Sequence, residues 1–279
     1  MRTIPASSYG PKHADFGDVA PIEQAILKAV GGKTSLGNAL GVLLRGCIDD
    51  VIDTPSTGRC DYEELEKTEK TYLGTRVEIK LRALLGFSKG SKLDLKIAGR
   101  EVDVKFTIAS NWMIPTEAVD EVCLLIAADE ENAKFYFGLL KAKLAYLSAG
   151  ANKDSKRSVS APGFTHLNWL LAGHAYPANF WRGIAEAKRK TIFAARGGTA
   201  RLVTLFEELQ QTPIHRSVIE SVARQKDYMK RLRSNGGAKD ELYRRGILLL
   251  GGKYDAFTIS KMGLPYCDND HFISTKIKP

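Results

Sequence analysis

Apolar and polar positions change period along this chain, and the changes divide it into blocks. Residues 1–18 hold Pro5, Gly10, Pro11 and Gly17 with little periodicity and predict an irregular arm. Pro21 suits the first turn of a helix, and Ile22, Ala25, Ile26 and Val30 follow at helical spacing. Leu36, Leu40, Leu43, Leu44, Cys47 and Ile48 predict a second helix, stopped by Thr54-Pro55-Ser56-Thr57-Gly58. A third is predicted from Tyr62 to Leu85, with Leu65, Tyr72, Ile79 and Leu84 among its apolar members.

The period then falls to two. Leu93-Asp94-Leu95-Lys96-Ile97 and Glu101-Val102-Asp103-Val104-Lys105-Phe106 alternate around Ala98-Gly99, which predicts a β-hairpin. Val122 to Ala127 is apolar throughout and predicts a strand covered on both faces. Phe135 to Leu140 predicts another, so residues 20–145 give helices first and then a mixed sheet of four or more strands. Asn152 to Arg157 reads as an exposed polar loop. Leu167, Trp169, Leu170 and Leu171 predict a helix, and Gly173 to Pro177 breaks the pattern. A domain boundary is placed there, giving 1–174 and 175–279.

Beyond the boundary the chain is basic: Lys188 to Arg245 holds 14 Lys/Arg against 6 Asp/Glu. Arg201–Leu209, His215–Ala223 and Asp227–Arg233 predict three short helices. Ile247 to Leu250 and Tyr254 to Ile259, turning at Gly251-Gly252, predict a hairpin. Three helices followed by a hairpin is the order of a winged helix-turn-helix.

Composition adds little to this picture. The 279 residues carry a net charge of +9, which suits a polyanionic partner without specifying one. The four cysteines lack metal-ligand spacing, and Cys47 and Cys123 lie in apolar runs. No apolar run approaches the roughly 20 residues of a membrane helix. Met1 to Gly10 does not read as a signal peptide. A soluble cytoplasmic protein is expected.

The hairpin carries the candidate chemistry. Alternation puts Glu101, Asp103 and Lys105 on one face, with Val102, Val104 and Phe106 on the core face. With Ala98-Gly99 as the central turn residues, Ile97 pairs with Arg100 and Asp94 falls opposite Asp103. Ala-Gly is not an ideal turn pair, and a bulge would shift that register. Two opposed carboxylates repel unless a shared proton, a flanking cation or a bound metal compensates. Hard divalent ions take oxygen ligands, and Lys105 points into the same space. Such a set suits metal-assisted attack of water on a phosphodiester. A bare Asp-X-Lys is in most cases part of a surface hairpin with solvated charges, so the weight rests on the added members, Asp94 and Glu78.

Asp94, then Asp103-Val104-Lys105, with an upstream acid on a helix, resembles the PD-(D/E)XK nucleases. The spacing of Glu78, Asp94, Asp103 and Lys105 is similar to that of NaeI-type restriction endonucleases. Neighbouring text agrees at Glu66 to Thr71, Asn152 to Arg157, Asp227 to Arg231 and Gly263-Leu264-Pro265. The resemblance runs from about residue 35 to the end. It departs at Val104, where the best-known member would carry cysteine; this position faces the core.

The resemblance implies an α/β chain with a restriction-endonuclease-like mixed sheet flanked by helices, plus a C-terminal winged helix-turn-helix domain. It implies Glu78, Asp94 and Asp103 as metal-site acids for Mg2+ and Lys105 as the catalytic lysine. It also implies a homodimer cutting a short palindromic double-stranded DNA site, with a second DNA copy bound as effector by the C-terminal domain. A palindrome matches a two-fold dimer because each subunit meets an equivalent half-site.

Expected DNA-contacting residues are Lys153, Asp154, Lys156 and Arg157 in the loop. In the helix-turn-helix they are Arg224, Gln225, Lys226, Lys230, Arg231 and Arg233. Flexible loops and solvated basic helices carry such residues too. The competing functional readings are a DNA-binding transcriptional regulator without nuclease activity and a repair-type nuclease. A regulator has no use for closely placed Glu78, Asp94 and Asp103.

Overall fold

A computed structural model describes residues 9–224 and 227–277. The chain begins with α1 (Phe16–Val30), α2 (Lys33–Ile52), α3 (Thr54–Thr57) and α4 (Lys67–Leu85). There follow β1 (Leu95–Ile97), β2 (Arg100–Thr107), β3 (Met113–Ile114), β4 (Val122–Asp129), β5 (Lys134–Lys141), β6 (Arg157–Ser158) and β7 (Asn168–Ala175). Next come α5 (Glu186–Ala194), α6 (Gly198–Glu208), β8 (Ile214–His215), α7 (Arg216–Ala223) and α8 (Tyr228–Leu232). The chain closes with α9 (Ala238–Arg244), β9 (Ile247–Gly251), α10 (Gly252–Lys261) and β10 (His271–Lys276). Among the described residues none of these helices is long and apolar enough to cross a membrane.

Two compact units result. The first holds residues 1–52 and 61–179, the second 53–60 and 180–279. In the first unit a five-stranded mixed sheet has the order β1-β2-β4-β5-β7. Only β2 and β4 run parallel; β1–β2, β4–β5 and β5–β7 are antiparallel. One face packs on the helices through Val102, Val104, Leu124, Ile126, Phe135 and Phe137. The other supports a second cluster around Trp112, Cys123, Leu125, Leu140 and Phe164. β4 is therefore buried on both sides, as its unbroken apolar run required.

Helix α4 shows how a helical face is chosen. Leu73, Val77, Leu81 and Leu85 recur every four residues and are buried. Each such burial contributes about 1.5–3 kcal/mol. Tyr72 and Ile79, expected on the apolar face, are exposed instead. The helix starts at Lys67, since Tyr62–Glu64 is a separate 3-10 turn.

The first helix begins earlier than Pro21 suggested. α1 starts at Phe16, which puts Pro21 inside the helix. Proline has no amide hydrogen, so the Gly17 carbonyl loses its helical donor. Arg100 Nη2 donates to that oxygen at 3.3 Å, and its Nη1 meets Asp18 at 2.7 Å.

The segment expected as a helix through Leu167, Trp169, Leu170 and Leu171 enters β7 at Asn168 and pairs with β5. A short apolar run suits either element by period alone, and sheet pairing decides it.

In the second unit, α6, α7, α8 and α9 pack around Leu202, Leu205, Phe206, Ile219, Val222 and Leu242. The strands form an antiparallel sheet of order β8-β10-β9. The last carbonyls of α7 are satisfied by Arg201, whose Nε donates to Val222 O at 2.7 Å and Nη2 to Ala223 O at 3.0 Å.

Two expectations fail in this unit. Tyr254–Ile259 is not the return strand of a hairpin: it lies in α10, and β9 pairs instead with His271–Lys276. Asp255 Oδ2 accepts the Gly251 amide at 2.8 Å, which turns the chain into a helix where Gly-Gly suggested a tight strand turn. A fourth helix, α9, follows the expected three.

Candidate active site

The β1–β2 turn fixes the site. Ala98 and Gly99 both have positive φ, at 49° and 78°, the geometry of a two-residue type I′ turn. The ladder pairs Ile97 with Arg100, Lys96 with Glu101 and Leu95 with Val102. The assumed register thus holds for three pairs, and pairing ends one step before Asp94–Asp103. There the Asp94 side chain takes over, and its Oδ2 accepts the Val104 amide at 2.7 Å.

Glu101 explains why the ladder stops. Its carboxylate accepts the amides of Ser91 at 2.9 Å, Lys92 at 3.0 Å and Leu93 at 2.9 Å, and the Ser91 hydroxyl at 2.8 Å. These backbone donors hold its carboxyl down at about 2. The loop is wrapped over Glu101, so it cannot continue the strand. Leu93 therefore joins the opposite core cluster from Leu95 and Ile97. This wrap delivers Asp94 to the site. Reading by alternation gave Glu101 only a face; it could not show that a preceding loop folds over it.

Asp103 projects away from the helix-packed core, and its side chain is only 5% exposed. Its register neighbour on the parallel strand is Cys123, whose thiol Sγ lies 3.9 Å from Asp103 Oδ2. Lys105 Nζ donates to Asp103 at 2.7 Å and to the Val104 carbonyl at 3.1 Å. The same ammonium stands 3.9 Å from Asp94. Burial pushes the Asp103 carboxyl up to about 6, against the pull of Lys105 and with help from Asp94. Burial also drives the Cys123 thiol well above its ordinary range, so it stays a neutral donor.

Glu78, on α4, is the third acid. Burial raises its carboxyl, the Asp94 charge raises it further, and Arg82 and Lys105 oppose. Arg82 Nη1 lies 3.6 Å from Glu78 Oε1, one helical turn on. Asp94, Asp103 and Lys105 are thus in direct contact or nearly so, and Glu78 lies within their electrostatic reach. Among the described residues no three His, Cys, Asp or Glu converge into a preformed metal cage. The donors that do gather are carboxylate oxygens, and Lys105 supplies the positive charge between two of them. That set fits a hard cation that completes its shell with water and phosphate oxygens.

The expected DNA-contacting residues fall in two places. In the first unit, Lys153 and Asp154 are exposed in a loop organised by Asn152, whose Oδ1 accepts the amides of Asp154 and Lys156. Arg157 is partly committed: its Nη1 donates to the carbonyls of Ser148, at 2.8 Å, and Ala149.

In the second unit, Arg224 ends α7 in a left-handed conformation and is exposed. Lys230 pairs with Asp227, and Arg231 and Arg233 are exposed. Gln225 and Lys226 lie outside the described residues. The sequence did not predict α9, which carries Lys239 and Tyr243, because only eight residues lie between Gly237 and Gly246, too few for a periodic signal.

The family model described as "Restriction endonuclease NaeI" matches residues 26–279. The chain is 34% identical over 252 residues to the type II restriction enzyme NaeI of Lentzea aerocolonigenes, covering 87% of this chain and 79% of that protein.

Proposed function

Because the chain belongs to the NaeI restriction endonuclease family, we propose that it is a type II restriction endonuclease. It hydrolyses phosphodiester bonds of double-stranded DNA at a short palindromic site, with Mg2+ as cofactor. The observation that carries this reading is the contact of Lys105 Nζ with Asp103 at 2.7 Å beside Asp94 at 3.9 Å.

Asp94 and Asp103 would hold the cation, with Glu78 as the third acid of the site. Bound there, Mg2+ supplies acidity to the attacking water and charge for the developing phosphoryl oxygens. Lys105 keeps its ammonium protons directed at the space between the two aspartates, where it orients the water and offsets phosphate charge. Val104 fixes Asp94 through its amide, so the carboxylate costs little reorganisation when substrate arrives. Burial of Asp103 excludes bulk water from one side of the reacting centre.

The C-terminal part serves as a second DNA-binding domain; the boundary expected at 174/175 would cut β7, so the endonuclease domain is the first compact unit, to residue 179, and the effector domain the second, from 180. The order α6, β8, α7, α8, α9, β9, α10, β10, with β10 central in its sheet, supports a winged helix-turn-helix in which α10 stands between the two paired strands. Arg224, Lys230, Arg231 and Arg233 then hold phosphates, and α9 is the candidate reading helix. A homodimer presents two equivalent sites to a palindrome, and a second DNA copy on the C-terminal domain activates cleavage. The enzyme acts in the cytoplasm.

The test is plasmid DNA of diverse sequence incubated with protein and Mg2+. Discrete bands are expected from the wild type, and a loss of at least roughly a thousandfold from Asp103→Ala and Lys105→Ala. Wild type and variants equally inert across all DNA would sink the nuclease reading, and a smear would sink site specificity.

A further inference from the structure

The C-terminal unit contains a cavity of about 580 Å3 between the start of α6 and the α8–α9 segment. Arg196, Arg231, Arg244 and Arg245 line it, together with Thr199 and Glu241. This volume lies within the range of small-ligand pockets, roughly 300–1,000 Å3.

The charge on its walls is one-sided. Glu241 is the single acid in the lining, and it receives Arg244 Nη1 at 2.7 Å and Arg245 Nη2 at 2.9 Å. Arg245 also meets Glu207 at 2.9 Å. Of the four arginines in the lining, Arg244 and Arg245 meet these carboxylates, and Glu241 is the one acid among the lining residues. The two acids lock Arg245 in place, which lowers the entropy lost when it meets an anion. Arg196 makes no ion pair or hydrogen bond among the described residues, leaving its fork available.

The backbone leaves room for close approach. Gly197-Gly198 forms one wall and Gly236-Gly237 another. The first intrahelical bond of α6 from this end is Arg201 N to Gly197 O at 3.0 Å, so the amides before it add donors at the wall. Planar guanidinium forks match the oxygens of a phosphate in pairs, which neither a chloride nor an apolar ligand exploits.

We propose that this cavity binds a phosphate group, supplied by a DNA backbone or by a free phosphorylated ligand. The site is additional to the acidic cluster, and its ligand chemistry does not depend on the chain being a nuclease.

The experiment is calorimetric titration of the full chain with inorganic phosphate, against sodium chloride of matched ionic strength. Saturable binding is expected. Arg196→Ala and Arg231→Ala are each expected to weaken it roughly tenfold, and Arg196→Lys less. Both side chains are exposed, so unchanged melting temperatures are expected to accompany the loss. Duplex DNA is then added to the phosphate-loaded protein. Release of phosphate assigns the site to a DNA backbone, and retention assigns it to a free phosphorylated ligand. Absence of saturable binding in the wild type, or equal binding by the Arg196→Ala/Arg231→Ala double variant, overturns the proposal. Cleavage enters none of these readouts, so a failed nuclease reading leaves a different signature.

Discussion

Asp103 and Arg245 each sit in a cluster of opposite charges, yet their surroundings differ. The Asp103 side chain is 5% exposed and touches one ammonium, Lys105. Arg245 is 46% exposed and is held by two carboxylates, Glu207 and Glu241. Burial outweighs the ion pair at Asp103 and drives its carboxyl up to about 6. At Arg245 the hydrogen bonds it donates to both acids outweigh desolvation, and the guanidinium is held still more firmly charged. The first unit thus keeps an acid short of compensation, ready for a cation. The second keeps cations near the surface, where solvent weakens each pair.

The sharpest challenge to that contrast is Glu101, a half-buried carboxylate whose pKa is set by its backbone donors and not by burial. Glu101→Gln removes the charge those amides converge on and loosens the loop before Asp94. Cleavage is expected to fall roughly ten- to a hundredfold, with a raised Mg2+ requirement, because a misplaced ligand is costly in an oriented site. Phosphate binding in the C-terminal cavity is expected to stay unchanged. Full cleavage at unaltered Mg2+ concentration would remove Glu101 from any role in placing Asp94.

A second test uses stability. The folded-state pKa of Asp103 lies above its ordinary 3.8, so the native state holds the proton more tightly than the unfolded chain does. Stability therefore falls as pH rises from 3.8 to about 6. Asp103→Asn is expected to be more stable than wild type by on the order of 1–3 kcal/mol at neutral pH, and to lose that advantage in acid. Urea unfolding across pH measures it. A variant less stable than wild type at neutral pH would mean that the Lys105 contact outweighs burial.

The smallest effect belongs to the exposed cluster. Glu207→Gln is expected to cost about 0.2–1 kcal/mol, fading in high salt. A larger, salt-independent loss would show that the Arg245 cluster is desolvated and remove the contrast with Asp103.

Much of the first unit was legible in the sequence. The period-two alternation of β2, the two-faced burial of β4 and the turn at Ala98-Gly99 are local consequences of residue order. The family resemblance was legible too, since it rests on spacing. Leu167–Leu171 misled because a four- or five-residue apolar run has no length in which to distinguish two periods. The segment 254–259 misled for another reason: Tyr254 and Phe257 are exposed at 83% and 80%, although their residue types suggest a strand.

The sequence by itself determined which side chains share a strand face, because alternation needs no partner. It therefore placed Asp103 with Lys105 and separated both from Val102 and Val104. Only the tertiary structure decided how Asp94 arrives, through a loop wrapped on Glu101, and what lies behind Asp103, since Cys123 is brought there by a parallel neighbour twenty residues on. It alone decided that Arg196 and Arg245 line one cavity. The reason is physical: face and period are set by the local backbone, whereas burial, the chief cause of Asp103's raised pKa, depends on packing by distant segments.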